Sequence, residues 1–494
     1  MYRRLLALIL LCLTAPALAQ APVARAPVPS VQQQVERALG AAPPGARFGL
    51  LVVDEQGRAI VSVNPDQRFI PASNTKLFTT AAAYALLPGM DRPDVAGGTQ
   101  VRLVTGQRKR APTALLVGQG DARMSSAPDC QVDCLAALAD AVAAKIKVVG
   151  DVVGDDTLFP DQRWSPGMSW NNLGSNDATA ASALSLDSNQ LIVRAVPGAT
   201  GQRPALTVPS YITVRNDAVT GPVGTKTTLV LEHRLNSRAF RLYGELPAGA
   251  GEWHDWVGVD DPAHYAAWTL AAMLKARRVK VTGVVRAQHR PTDRADDPAG
   301  RGGLEVPGSQ PVRATPLAQL SPPPLAEDVT IINKVSQNHH AELLLRRIAS
   351  QRGTGSLADG LAAEQALFAA AGVPRAGYDF SDGSGMSTYN RVSPRAVVTL
   401  LRWSSAQPWG QAWSASLPIA GVDGTLQRRF VGTPLADNLT AKTGSLNATS
   451  AISGTFRAAS GRKLTFSFFA NDIPDGQSAL PIMEEVLLLI AASN

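Results

Sequence analysis

Pro71-Ala72-Ser73-Asn74-Thr75-Lys76-Leu77-Phe78-Thr79-Thr80 opens a helix and sets a serine and a lysine three residues apart on it. Residues i and i+3 share a helix face, so the Ser73 hydroxyl and the Lys76 amine come within hydrogen-bond reach. A partly desolvated lysine there can act as the base that turns a weak hydroxyl into a nucleophile. The pattern alone is weak, because Ser-x-x-Lys arises by chance about once or twice in a chain this long. A second copy, Ser460-Gly461-Arg462-Lys463, reads as a hairpin turn. Taken alone, Ser73 is an N-cap with a solvated lysine one turn on.

Upstream of this stretch, Phe48 to Asp54 and Ala59 to Val63 read as a hairpin closed by Glu55-Gln56-Gly57, preceded by a helix over Val31 to Leu39. A hairpin leading into an Ala-rich helix (Thr79 to Leu86) suggests a nucleophile helix set against an antiparallel sheet. Arg3 and Arg4, the apolar run Leu5 to Leu13 and Ala17-Leu18-Ala19 form a secretory signal peptide over residues 1–19. That run is too short to span a bilayer. Leu11 stands before Cys12, where a lipid-anchor signal wants a small residue. Residues 20–30 read as a flexible leader.

Downstream the texture changes. Short alternating strands (Gln100 to Leu103, Ala114 to Val117) precede Gly118-Gln119-Gly120-Asp121, a helix over Cys134 to Ile146 and a β-rich run over Val148 to Phe159. Strands continue to about residue 290, and the Pro/Gly/Arg-rich segment 288–310 reads as a boundary. Periodic helices then return over Ala326 to Arg347, Leu357 to Ala371 and Pro394 to Ser405. Three strands (Leu439 to Thr443, Ser450 to Ala458, Leu464 to Asn471) and a helix over Leu480 to Ala492 close the chain. A sheet-and-helix framework that resumes after some 200 residues is the pattern of one domain inserted in another.

Composition sets bounds. The 494 residues exceed one comfortable core, and 45% hydrophobic with 18% charged residues suits a globular chain. A formal charge of +7, reduced by loss of Arg3 and Arg4, is mild, and no basic run or interleaved aromatics supports nucleic-acid binding. No His or Cys cluster has metal spacing, and no cofactor motif is present. Cys130 and Cys134 are spaced for a local disulfide at a helix start, and the sequence leaves the bonded and free forms open.

A serine nucleophile needs a second proton-handling group, a cation for substrate charge and an oxyanion hole. Ser336 and Asn338, at the opening of the helix ahead of His339 and His340, offer a hydroxyl and an amide two residues apart. Ser62-Asn64, Ser169-Asn171 and Ser445-Asn447 share that spacing. Lys442-Thr443-Gly444-Ser445 sets a lysine and two hydroxyls on a strand, with Gly444 permitting close backbone approach. Lys-Thr-Gly is expected by chance only about 0.1 times here. His339 and His340 are read as surface or structural residues.

The ordered set Ser-x-x-Lys, Ser-x-Asn, Lys-Thr-Gly resembles penicillin-binding proteins and serine β-lactamases. Order selects Ser336 over its decoys. Ser336 follows Ser73 by 263 residues, far more than a β-lactamase needs. The segments Phe69 to Leu77, Val117 to Asp121, Gly150 to Phe159, Asp382-Gly383-Ser384-Gly385-Met386-Ser387, Ala420 to Leu426 and Ala441 to Leu446 resemble the class C, type-4 penicillin-binding proteins. These are D-alanyl-D-alanine carboxypeptidase/endopeptidases.

The resemblance implies an α+β fold: a β-lactamase/transpeptidase-like domain, an antiparallel sheet with flanking helices, interrupted by nested, mostly β insert domains. The expected bounds are 20–94 and 311–494 for that domain and 95–310 for the inserts, the outer over 95–122 and 190–310 and the inner over 123–189. It also implies acyl transfer on peptidoglycan peptides and β-lactams. Ser73 would be the nucleophile and Lys76 the base. Ser336 would pass a proton to the leaving amine, with the division of proton work between Lys76 and Ser336 left open. Asn338 would hold Lys76 and the substrate amide, and Lys442 would add positive potential. Thr443, Gly444 and Ser445 would bind substrate, and the N–H groups of Ser73 and Ser445 would form the oxyanion hole. Asp382 and Ser384 are counted with the substrate contacts, although a structural turn explains Asp382 equally well. Asn172 and Thr388 stand where relatives carry an aspartate and an arginine, which puts the side-chain preference in question. Rival readings are a β-lactamase or esterase on the same scaffold and a non-catalytic murein-binding protein. Export, with periplasmic residence, follows from the signal and the resemblance. Oligomeric state is not legible.

Overall fold

The sheet behind Ser73 is assembled from both ends of the chain. In the computed structural model, which describes residues 29–105, 111–302 and 315–494, its order is Ala59–Val63, Arg47–Val53, Lys463–Asn471, Thr449–Arg457, Thr440–Leu446, antiparallel throughout. Arg47–Val53 is apolar along almost its whole length because both faces are covered. Successive side chains point to opposite faces. Leu50 and Val52 therefore join Phe466, Phe468 and the helix Leu480–Ser493 on one side, while Leu51 and Val53 meet Val398 of the helix Pro394–Ser405 on the other.

The helix Thr75–Leu86 is enclosed, with every residue from Thr75 to Ala83 buried. Its alanines and threonines let the neighbouring helices approach closely. The single periodic helix expected over 326–347 is two, Leu325–Lys334 and Asn338–Ala349. Ser336 breaks it with φ +65°, a left-handed conformation that helix cannot contain.

The inserted region has its own five-stranded sheet, ordered Val285–Arg290, Val152–Pro160, Thr113–Val117, Gln100–Val104, Ala318–Gln319. Two of its pairings are parallel, which demands long crossovers. These are supplied around the expected helix Leu135–Lys145 and a helix not anticipated, Pro262–Ala276, which begins with an Asp261 cap and Pro262 in its first turn. Strands still predominate in the inserts.

Sheet membership cuts across the expected insert bounds. Val152–Pro160 lies within the expected inner insert, 123–189, yet it is bonded on both edges into the outer sheet. The segment with separate small sheets is instead Gln190–Gly258. The outer sheet also recruits Ala318–Gln319, past the expected end at 310. Cys130 and Cys134 are joined by a disulfide. The signal peptide, the leader up to residue 28 and the boundary segment beyond residue 302 lie outside the described residues. Among the described residues no helix is long and apolar enough to cross a membrane.

Gly49 ties the sheet to the approach to Ser73. A Cβ there would meet the Phe69 ring at 2.3 Å, and Phe69 stacks on Phe469, the cross-strand partner of Gly49, at 5.8 Å. Gly49→Ala is expected to destabilise the protein by about 1–3 kcal/mol through overpacking. An unfolding midpoint in urea equal to that of the parent would refute this account of the contact.

Candidate active site

Ser73 sits in a 3₁₀ turn, Ala72–Asn74, at the head of the buried helix. It is not an N-cap of that helix. Its Oγ receives a hydrogen bond from Lys76 Nζ at 2.9 Å, and Asn74 turns away to donate to the Lys442 carbonyl at 3.0 Å. Two glycines make this turn possible. A Cβ on Gly385 would lie 2.0 Å from the Ala72 carbonyl oxygen, and one on Gly444 would lie 2.7 Å from that of Pro71.

Lys76 is fully buried and saturated. Besides Ser73 it donates to Asn338 Oδ1 at 2.5 Å and to the Ser384 carbonyl at 2.5 Å. Burial lowers its pKa from 10.5 to about 8, against the opposing pull of Asp382, Glu342 and Asp177. Lys442, equally buried, donates to Ser336 Oγ at 2.9 Å and to the Thr443 carbonyl at 3.0 Å. Burial first, and the charge of Lys76 second, push it well below the ordinary lysine range. The structure thus gathers Ser73, Lys76, Ser336, Asn338 and Lys442 from three distant segments into one constellation. Each lysine holds one hydroxyl.

Ser73, Ser336 and Asn338 open onto a cleft of about 600 Å³ whose other side is Thr443, Gly444 and Ser445. The strand Thr440–Leu446 is an edge strand. The Ala441 N–H leaves the sheet to reach the Pro418 carbonyl at 3.0 Å, so by alternation the Ser445 N–H faces the same open side. Asn172 and Thr388 also line the cleft, and Asn338 Nδ2 donates to the Asp177 carbonyl at 2.9 Å, bringing the inserted region to its rim.

Asp382 and Ser384, counted with the substrate contacts from the sequence, do not line the cleft. Both are fully buried. The Asp382 carboxylate accepts from the N–H groups of Gly385 and Ser387 at 2.9 and 2.6 Å, from Asn390 Nδ2 at 2.6 Å and from Ser384 Oγ at 3.3 Å. These bonds brace a turn that aims the Ser384 carbonyl at Lys76. His339 and His340 are buried, not surface residues. His339 meets Ser185 Oγ at 3.1 Å, and His340 meets Asp328 at 2.5 Å.

Two residues escaped the sequence reading. Buried Glu342 receives the N–H groups of Gly383 and Ser384 at 3.1 and 3.0 Å and Ser165 Oγ at 3.1 Å. Arg429 lines the cleft, its Nη2 is buried without a hydrogen-bond partner among the described residues, and its Nε is held by Glu484 at 2.6 Å. Glu342 lies one turn beyond Asn338, a spacing that shows the shared face. Nothing in the sequence around Arg429 signals its orientation.

The geometry has counterparts. The chain matches the model of the D-Ala-D-Ala carboxypeptidase 3 (S13) family over residues 31–298 and 302–492. It is 32% identical over 466 residues to a D-alanyl-D-alanine carboxypeptidase of Actinomadura sp. (strain R39), covering 90% of this chain and 81% of that one. To the D-alanyl-D-alanine carboxypeptidase DacB of Haemophilus influenzae it is 24% identical over 452 residues, covering 88% and 87%. The crystal structure of penicillin binding protein 4 from Haemophilus influenzae shares the fold with a TM-score of 0.77 at 22% identity, over 92% of this chain and 97% of that one.

Asp382→Ala removes the acceptor of four buried donors, each worth about 1–3 kcal/mol when stranded. The expected result is a loss of at least about 3 kcal/mol in urea unfolding. Unchanged stability with a raised KM would return Asp382 to the substrate contacts.

Proposed function

Because the chain belongs to the D-Ala-D-Ala carboxypeptidase 3 (S13) family, we propose that it cuts the D-alanyl-D-alanine bonds of peptidoglycan stem peptides and cross-links through an acyl-enzyme on Ser73. The observation that carries this is the 2.9 Å contact between Ser73 Oγ and a lysine whose ammonium form burial disfavours. Neutral Lys76 takes the Ser73 proton as Oγ attacks the carbonyl of the penultimate D-alanine. The developing oxyanion is met by the N–H groups of Ser73 and Ser445, and the amine of the terminal residue leaves with a proton delivered through Ser336. Lys442 holds Ser336 and keeps its hydroxyl polarised. Asn338 fixes Lys76 and presents its amide at the rim. Thr443, Ser445 and Arg429 offer donors for the substrate carboxylate. Water then hydrolyses the ester. A β-lactam amide is opened by the same attack and leaves Ser73 acylated.

Periplasmic residence is part of the reading, supported by the Arg3-Arg4 and apolar 5–13 pattern, the disulfide and the substrate. So is a catalytic domain formed from residues up to 94 and those after Gln319, with the remainder inserted; sheet membership supports it.

Incubation with fluorescent penicillin is expected to label the protein and not Ser73→Ala, and D-alanine release from a D-Ala-D-Ala muropeptide should fall by at least about 10³-fold in that variant. Label on Ser73→Ala, or equal peptide turnover, overturns the assignment.

Lys76 is protonated below about pH 8 and cannot accept a proton there. The second-order labelling rate should therefore climb as pH rises through about 8 and level off above it. A flat profile from about pH 6 to 10 excludes Lys76 as the base.

A further inference from the structure

Neutral Lys76 carries two hydrogens and one lone pair, and its Nζ has three partners. Asn338 Oδ1 and the Ser384 carbonyl, each at 2.5 Å, can only accept, so each takes one hydrogen. The lone pair is left for Ser73 Oγ at 2.9 Å, the direction a base requires. Without the Ser384 carbonyl an N–H turns to Ser73 instead, and the amine donates where it has to accept. The aim of Lys76 therefore depends on what fixes Ser384.

Glu342 holds the chain just ahead of that carbonyl. Its Oε1 accepts from the N–H groups of Gly383 and Ser384 at 3.1 and 3.0 Å, which belong to the two preceding peptide units. Its Oε2 accepts from Ser165 Oγ at 3.1 Å, in the stretch of the inserted region that runs on to Ser169 and Asn172 in the wall of the cleft. Asp382 braces the other half of the turn, through the N–H groups of Gly385 and Ser387. Two more bonds pin the turn to the same stretch, from Ser387 Oγ to the Pro166 carbonyl at 2.6 Å and from the Thr388 N–H to the Gly167 carbonyl at 2.9 Å.

The charges around this cluster come from several elements. Asp382, Glu342 and Asp177 favour the ammonium form of Lys76, against its burial. Lys442 is the neighbouring cation. Arg346, one turn beyond Glu342, gives its guanidinium hydrogens to Gln162 at 2.8 and 3.1 Å. Burial and Asp382 raise the pKa of Glu342, opposed by Arg346 and by the hydrogen bonds from Ser384 and Ser165. Glu364, on the helix Leu357–Ala370, is pushed up to about 8 by burial and also feels Glu342 and Asp382.

We propose that Glu342 is a positioning residue for the acylation step: by holding the Ser384 carbonyl against Lys76 it leaves the lone pair of the amine on Ser73. This rests on the reading of Lys76 as the base. Glu342 touches neither substrate nor the reacting atoms and acts through Ser384.

Two variants of the full chain separate its reach from its charge, read by the second-order rate of fluorescent penicillin labelling from about pH 6 to 10. Glu342→Asp keeps the charge and withdraws the carboxylate by one carbon, so the plateau at high pH should fall by about tenfold or more while the climb stays near pH 8. Glu342→Gln keeps an oxygen for the Gly383 and Ser384 N–H groups and an N–H for Ser165 Oγ, so most of the plateau should be retained. It removes a charge that favours the Lys76 ammonium, so its climb should come at lower pH than the parent's. Urea unfolding of each variant confirms that the rates are read on folded protein. A brace that matters for stability alone lowers the urea midpoint and moves neither the plateau nor the climb.

A parent plateau in Glu342→Asp, or an unmoved climb in Glu342→Gln, overturns the proposal and leaves Lys76 as the base. Glu342→Gln also decides where Glu342→Asp does not fold, because a plateau more than about tenfold below the parent's in a variant that keeps every hydrogen bond overturns the proposal as well. A flat profile in the parent overturns the catalytic reading and this proposal together.

Discussion

Two lysines with no exposed surface lie behind one cleft, and the packing around them answers that constraint. Two ammonium groups out of water repel each other and lose hydration that nothing apolar replaces. Burial lowers the proton affinity of both Lys76 and Lys442, and Lys442 also feels the charge of Lys76. What makes the pair tolerable is a ring of oxygen acceptors drawn from separate segments. Ser73, Asn338 and the Ser384 carbonyl surround Lys76, and Ser336 and the Thr443 carbonyl hold Lys442. The carboxylates of Asp382 and Glu342 lie behind them and pull the other way. Two buried amines of lowered proton affinity are thereby held without being stranded.

Such close convergence is paid for in backbone conformation. Ala72, immediately before the serine, has φ +47°, and Ser336 has φ +65°. Both are left-handed conformations that cost a residue with a Cβ of order 1 kcal/mol or more, and both lie next to or at a hydroxyl that a buried lysine holds. Gly385 and Gly444 press on the serine turn from opposite sides at distances no other residue could adopt. A helix, a loop and a strand edge are thus wedged together at one point, and the strain falls where orientation of a hydroxyl matters most.

The pattern of what was legible follows from the same physics. Long apolar runs announced the central strands, because Leu50 to Val53 are buried on both faces. Rare local motifs announced Ser73, Lys76, Ser336, Asn338 and Lys442, because their geometry is set within a few residues of each. Pairing partners were less accessible. Val152–Pro160 declares itself a strand but carries no mark of which strands flank it, and its neighbours come from the sheet of Thr113–Val117 and Val285–Arg290. Periodicity ran on across Ser336, and only the reading of Ser336 and Asn338 as a helix opening hinted at the break there. Glu342, Arg346 and Asp382 resemble surface charges in sequence, since burial of a charge depends on partners that only the fold brings near.

The helix Asn338–Ala349 joins the inserted region to the surroundings of Lys76. Asn338, Glu342 and Arg346 recur every four residues and so fall on one face. The first holds Lys76, the second holds the loop that presents the Ser384 carbonyl, and the third grips Gln162 of the inserted region at 2.8 Å. The neighbouring His339 extends the seam by meeting Ser185 Oγ at 3.1 Å. His339 is driven by burial to a pKa of about 3 and serves there as a neutral partner. A seam of buried hydrogen bonds is geometrically exacting, because a slip of an ångström strands a polar group in the interior. The inserts therefore fix the rotation of this helix, and through it the placement of the acceptor that Lys76 requires.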